Sequence, residues 1–189
     1  MESKATYNFR STAFTKENAL TLYADKLLVK NLSTEAERSI EWSQVKEVVL
    51  AFANSKNTPD VYLCTLKFQM GTDLVIKSVH YKGLADFEKR EEDYALFVRA
   101  LHEVLAKERH IHFKKGISKG LYILMGLLSI FGIGMYIAIS IVMLFSTIIV
   151  GILCLIFTPF LGMKLYAYMK KNQPGTYDPK ALPDYLLPS

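Results

Sequence analysis

Apolar and polar residues alternate with period two over residues 61–70. Tyr62, Cys64, Leu66, Phe68 and Met70 share one side, while Thr65, Lys67 and Gln69 share the other. This pattern predicts a strand with one buried face. The same period groups Leu20 with Leu22 in 19–23, Ile40 with Trp42 in 38–42, and Val48 with Leu50 and Phe52 in 45–53. Residues 27–32 and 74–79 read as further strands, with a short one expected at 6–10. Asp25-Lys26 and Gly71-Thr72 predict turns, since glycine accepts the positive φ that hairpins demand. The polar stretch 81–90, which contains Gly83, reads as a loop. The period then becomes helical. Tyr94, Phe97, Val98, Leu101, Val104 and Leu105 form one stripe, with Asp93 as the expected N-cap. Arg99, His102, Glu103 and Lys107 are expected on the opposite face.

Beyond this helix the pattern changes character. From Gly120 to Met163 there is no Asp, Glu, Lys, Arg or His. One helix over that gap would run about 66 Å, against a hydrocarbon core of about 30 Å. Two membrane crossings are therefore expected. The polar pair Ser146-Thr147 places the turn near 144–147, giving helices at 119–142 and 148–168. Pro159 should bend the second helix by removing a backbone donor. The organisation expected is a cytoplasmic domain at 1–112, a transmembrane hairpin at 113–171 and a proline-rich cytoplasmic tail at 172–189.

Charge sharpens this picture. The net charge is +5, yet residues 1–113 carry equal numbers of acidic and basic side chains. The excess lies in Lys114, Lys115 and Lys119 before the apolar block, and in Lys164, Lys170 and Lys171 after it. A neutral domain argues against nucleic-acid binding, which needs a basic face on the fold itself. Lysines on both flanks predict both termini in the cytoplasm, hence an even number of crossings. The same six lysines are candidate contacts for anionic lipid. The gap lacks the ionisable groups that ion and proton paths use, so transport by this chain alone is not expected. No apolar leader opens the sequence, so no cleavable signal peptide is expected.

The tail is punctuated by Pro174, Pro179, Pro183 and Pro188, which favours turns and extended segments over a helix. It nevertheless keeps Tyr177, Leu182, Tyr185, Leu186 and Leu187. These form a candidate docking tail, able to pack on the domain or on a partner; the alternative is a weakly ordered terminus.

Reactive constellations are weak. His110 and His112, with His102 nearby, lack the cysteine or paired acid of a metal centre and read more simply as interfacial histidines. Glu88, Glu91, Glu92 and Asp93 lack the glycine-punctuated pattern of a calcium loop and suit a helix N-terminus. Ser78-Val79-His80 and Cys64 have no activating motif. The two cysteines, Cys64 and Cys154, form no CxxC and are expected to be reduced. No catalytic residue, metal or cofactor is expected.

Six or seven antiparallel strands followed by one helix resemble the pleckstrin-homology-like fold. The run Ser39-Ile40-Glu41-Trp42-Ser43-Gln44-Val45-Lys46-Glu47-Val48 is similar to a segment of bacterial PH-like domains, which are often joined to a pair of membrane helices. The resemblance covers roughly 19–107 plus the hairpin. It implies an α+β fold: an antiparallel barrel or sandwich capped by one C-terminal helix. Inositide binding is not implied, because Lys16, Lys26 and Lys30 stand apart. The function expected is a non-catalytic binding or scaffolding module at the cytoplasmic leaflet of a bacterial inner membrane. Its expected partners are membrane lipids, a protein or a second copy of the chain. The alternative is a membrane enzyme or an accessory subunit of a membrane complex.

Overall fold

A computed structural model describes residues 2–10, 17–55, 58–83 and 86–188; Lys16 and Ser189 lie outside them. The chain divides into two compact units. One joins Met1–Gly116 to Gly175–Ser189, and the other is Ile117–Pro174. The tail thus belongs to the unit made by the N-terminal residues.

The first unit contains two larger sheets and a hairpin. Strands β1 (Ala5–Phe9), β2 (Asn18–Leu22), β3 (Lys26–Asn31) and β4 (Glu37–Glu41) form an antiparallel meander in sequence order. The second sheet has the order β11-β10-β5-β6-β7, from β5 (Val45–Ser55), β6 (Thr58–Phe68), β7 (Leu74–Lys77), β10 (His112–Lys115) and β11 (Gly175–Thr176). β8 (Val79–Gly83) and β9 (Asp86–Lys89) pair with each other. Helix α1 (Glu91–Leu105) packs on β1.

Alternation accounts for the core. Leu20, Leu22, Leu27, Ile40, Val48, Leu50, Phe52, Cys64 and Leu66 are all buried, as is the whole predicted α1 stripe. Tyr7 joins the layers. Its ring lies 5.6 Å from that of Phe97, and its hydroxyl donates to the Lys77 carbonyl at 2.6 Å. Trp42 is buried, and its Nε1–H donates to the Ala24 carbonyl at 3.0 Å. Gly71 has φ +97°, which the turn between β6 and β7 requires.

Several expectations need correction. The fold is α+β, but among the described residues the sheets do not close into a barrel, and β10 runs parallel to β5. The expected loop at 81–90 is largely the β8–β9 hairpin, held by pairs such as Tyr81 opposite Phe87 with rings 5.5 Å apart. Met70 leaves the apolar face because β6 ends at Phe68, and it is 90% exposed. Helix α1 starts at Glu91, so Asp93 lies in its first turn beside Glu91 and Glu92, where the helix dipole favours carboxylates. His102 is 1% exposed rather than on the solvent face.

The second unit is a helical hairpin of α2 (Lys119–Ser146) and α3 (Ile148–Lys171), joined at Thr147. Both helices are long and apolar enough to cross a membrane, and almost none of either apolar stretch is buried within the structure. Ser129, Ser140 and Thr158 each donate to the carbonyl four residues earlier, which satisfies their hydroxyls without outside partners. Gly151 sits against the end of α2. A Cβ there would lie 2.7 Å from the Leu144 backbone nitrogen, so only glycine fits. α3 continues as one helix through Pro159.

Candidate functional site

The tail is stitched to the sheet where the hairpin leaves it. β10 runs parallel to β5, with His112 opposite Glu47 and Lys114 opposite Val49. β11 then pairs antiparallel with β10, Lys114 opposite Thr176 and Lys115 opposite Gly175. The Tyr177 N–H donates to the Phe113 carbonyl at 3.3 Å, extending that ladder.

Beyond the ladder, Tyr177 meets α1 at His102. The Nδ1 of His102 lies 2.7 Å from the Val98 carbonyl, which only accepts, so Nδ1 carries the proton. Nε2 therefore accepts from the Tyr177 hydroxyl, at 2.8 Å. Phe113 closes the cluster, 5.7 Å from His102 and 5.9 Å from Tyr177 between ring centres. Burial lowers the His102 pKa to about 4, against a smaller opposing effect of its bond to Val98. Burial also drives the Tyr177 hydroxyl far above its ordinary range. Both groups are thus held neutral. Further along, a 3-10 turn at Asp184–Leu186 lies against β5, with Leu186 and Leu187 buried. Tyr185 is exposed and Leu182 half-buried. The Lys115 ammonium stands 5.5 Å from the Tyr185 ring centre.

An ion cluster braces β10 from the other face. Register puts Lys67 opposite Glu47, and Lys114 two residues beyond Glu47's partner on β10, so both ammonium groups reach one carboxylate. Lys67 lies 3.0 Å from Glu47 Oε1, and Lys114 bonds Oε2. Burial pushes the Glu47 carboxyl up, but the bonds from Lys114 and Lys67 outweigh it and hold it below the usual range. Replacing both lysines with Met strands this carboxylate, which is 8% exposed. The two lysine side chains are about half exposed, so the loss is about 2 kcal/mol rather than the full cost of breaking a buried pair. A urea midpoint followed by Trp42 fluorescence should fall accordingly at pH 7. An unchanged midpoint would remove the brace from the account.

The six candidate lipid-contact lysines separate. Lys114 and Lys115 are strand residues of the sheet unit. Lys119 opens α2, and Lys164, Lys170 and Lys171 lie on α3, the last two in its final turn.

A cleft of about 800 Å³ lies between the outer face of α1 and the tail turn, lined by Arg99, Glu103, Ala106, Lys107, Pro179, Lys180, Ala181 and Leu182. The turn is held by the Lys180 N–H donating to Asp178 Oδ1 at 2.9 Å. Sequence reasoning missed this cleft and the role of His102. The sign for His102 was its spacing, four residues after Val98 and eight after Tyr94 on the same helical row.

The weaker candidates have structural partners. Ser78 is buried, and its hydroxyl accepts from the Tyr62 N–H at 2.9 Å. Burial pushes the Cys64 thiol up to about 12, which keeps it protonated and unreactive. His110 lies 3.1 Å from the Trp42 carbonyl. Glu88 pairs with Lys82 at 3.2 Å and with Arg90 at 3.5 Å. Among the described residues no three His, Cys, Asp or Glu side chains converge as a metal site. No family model, curated protein or solved structure matches the chain.

Proposed function

We propose that the chain is a two-pass membrane protein whose sheet unit serves, without catalysis, as a PH-like binding or scaffolding module on the cytoplasmic leaflet of a bacterial inner membrane. One observation carries this reading: the strands on either side of the apolar hairpin, β10 and β11, pair with each other. A chain whose two exits are zipped into one sheet keeps both exits on one side of a bilayer. That requires an even number of crossings, which is the number the lysine flanks favour.

The tether is short. Gly116–Ser118 reaches about 11 Å at most before α2 begins, and 172–174 returns over a similar length. A module so held works at the membrane surface, on headgroups or on a protein that meets it there. The order of strands then helix supports the PH-like reading, as does the Trp42 turn into β5.

Topology can be tested with the chain's own cysteines in place. Cys64 is fully buried and Cys154 lies in α3, so introduced cysteines carry the labelling. Lys4→Cys and Lys180→Cys are each expected to resist a membrane-impermeant maleimide in intact bacterial spheroplasts and to label after lysis. Labelling of either before lysis overturns the topology. Mild-detergent purification with mass spectrometry tests the binding role, and a bare monomer without lipid or partner counts against it.

A further inference from the structure

We propose that the cleft between α1 and the tail turn binds a phosphate-bearing ligand. The inference rests on the reading of the sheet unit as a non-catalytic binding module and gives that module a ligand class.

Arg99 and Glu103, four residues apart, lie on the outer face of α1, and Lys107 follows in the turn just past the helix end. Lys180 faces them from the opposite wall of the cleft. Three cations thus stand against one carboxylate, on a unit whose charges otherwise nearly cancel. Elsewhere on the same unit some cations are paired, Lys67 and Lys114 with Glu47, Lys82 and Arg90 with Glu88, and Lys89 with Glu91, while others among the described residues, such as Lys46 and Arg109, stand singly on the surface. Among the described residues, none of the four charged side chains in the cleft joins an ion pair. What sets the cleft apart is that three such cations converge on one concave surface from two facing segments.

The chemistry favours phosphate. A guanidinium offers parallel donors that match two phosphate oxygens, and ammonium groups supply charge from other directions. The tail turn is held by the Asp178 carboxylate and Pro179, so Lys180 is carried on a preset wall. The cleft is larger than one phosphate requires and falls within the range of small-molecule sites, about 300–1,000 Å³. Ala106 and Leu182 add apolar surface beside the cations. The ligand is therefore a phosphate attached to an organic group, either a soluble phosphomonoester or a phospholipid headgroup. Because the tail supplies one wall, the site exists only while the tail is docked.

The test uses the full chain. In phosphatidylcholine nanodiscs, glycerol 3-phosphate and inorganic phosphate are titrated by calorimetry. In neutral detergent, retention of phosphatidate is read by native mass spectrometry. Binding of a phosphate probe or retention of phosphatidate is expected, and Arg99→Glu and Lys180→Glu should each weaken it about tenfold or more. Lys46→Gln, at an exposed position of β5 outside the cleft, should leave glycerol 3-phosphate binding unchanged. The cleft side chains are exposed, so melting temperatures should hold; Arg99→Gln and Lys180→Gln replace any variant that melts early. Glycerol 3-phosphate binding alone assigns a soluble ligand, and phosphatidate alone assigns a headgroup. Absence of both, or binding equal in wild type and cleft variants, overturns the proposal. The maleimide experiment reads topology separately, so failure of the cleft and failure of the membrane reading are distinguishable.

Discussion

A chain ended at Thr176 should lose at least about 4 kcal/mol of folding free energy in its sheet unit. Leu186 and Leu187 are 0% and 2% exposed, and removing a buried leucine side chain alone costs about 2–5 kcal/mol. Truncation also uncovers Phe113 and takes the donor from His102 Nε2, leaving a buried acceptor unpaired. Domains of this size hold about 5–15 kcal/mol in total, so the loss is a large part of the whole. Trp42, the single tryptophan, is buried in the sheet unit and far in sequence from the hairpin, so its fluorescence follows that unit by itself. The measurement is a urea titration of the full and truncated chains in neutral nanodiscs. Leu186→Ala should give about half the effect. Equal midpoints for the full and truncated chains would mean that the tail is an ornament on the fold rather than part of it.

That dependence explains what could and could not be read from the sequence. Strands with one buried face and a helix with one buried stripe declare themselves locally, because each residue's neighbours two or four positions away carry the pattern. The faces of β5 and β6 and the stripe of α1 are of this kind. β8 and β9 are not. Their pairing rests on Tyr81 with Phe87 and on a salt bridge between Lys82 and Glu88, and such polar strands look like loop. β10 is four residues long and only Phe113 in it is buried, so it looks like a basic flank of the hairpin. Its strand character comes from β5 on one side and from β11, about sixty residues later, on the other. The cleft was illegible for the same reason. Its walls come from 99–107 and 179–182, and exposed lysines in either segment are unremarkable until the tail turn brings them together. The pair of long apolar helices, by contrast, was legible from composition alone, and their ends shifted by only a few residues.

His102 should make the sheet unit lose stability as pH falls from about 6.5 to about 4. Its folded pKa, near 4, lies below the ordinary value of 6.5, chiefly because burial penalises the charged ring. Between those values the unfolded chain binds a proton that the folded chain refuses, so stability rises with pH by about 1.4 kcal/mol per unit. The contribution is complete above pH 6.5, amounts to roughly 3 kcal/mol, and is gone below about pH 4. Acidic groups also titrate near the lower limit. Glu47, held below its usual range, loses its own contribution as pH falls through the carboxylate region. The informative quantity is therefore the difference between wild type and His102→Leu, in which other groups cancel. That difference should slope across pH 4–6.5 and flatten on either side, as read from Trp42 urea midpoints in nanodiscs. Tyr177→Phe separates the two causes. It removes the hydroxyl that serves Nε2 and should cost about 1–2 kcal/mol at every pH above 5, while the slope persists because burial sets it. Parallel curves for wild type and His102→Leu would show that the ring is not buried neutral against the tail. A slope that vanished in Tyr177→Phe would transfer the effect from burial to the hydrogen bond, and would make the tail, through one hydroxyl, the acid-sensitive closure of the domain.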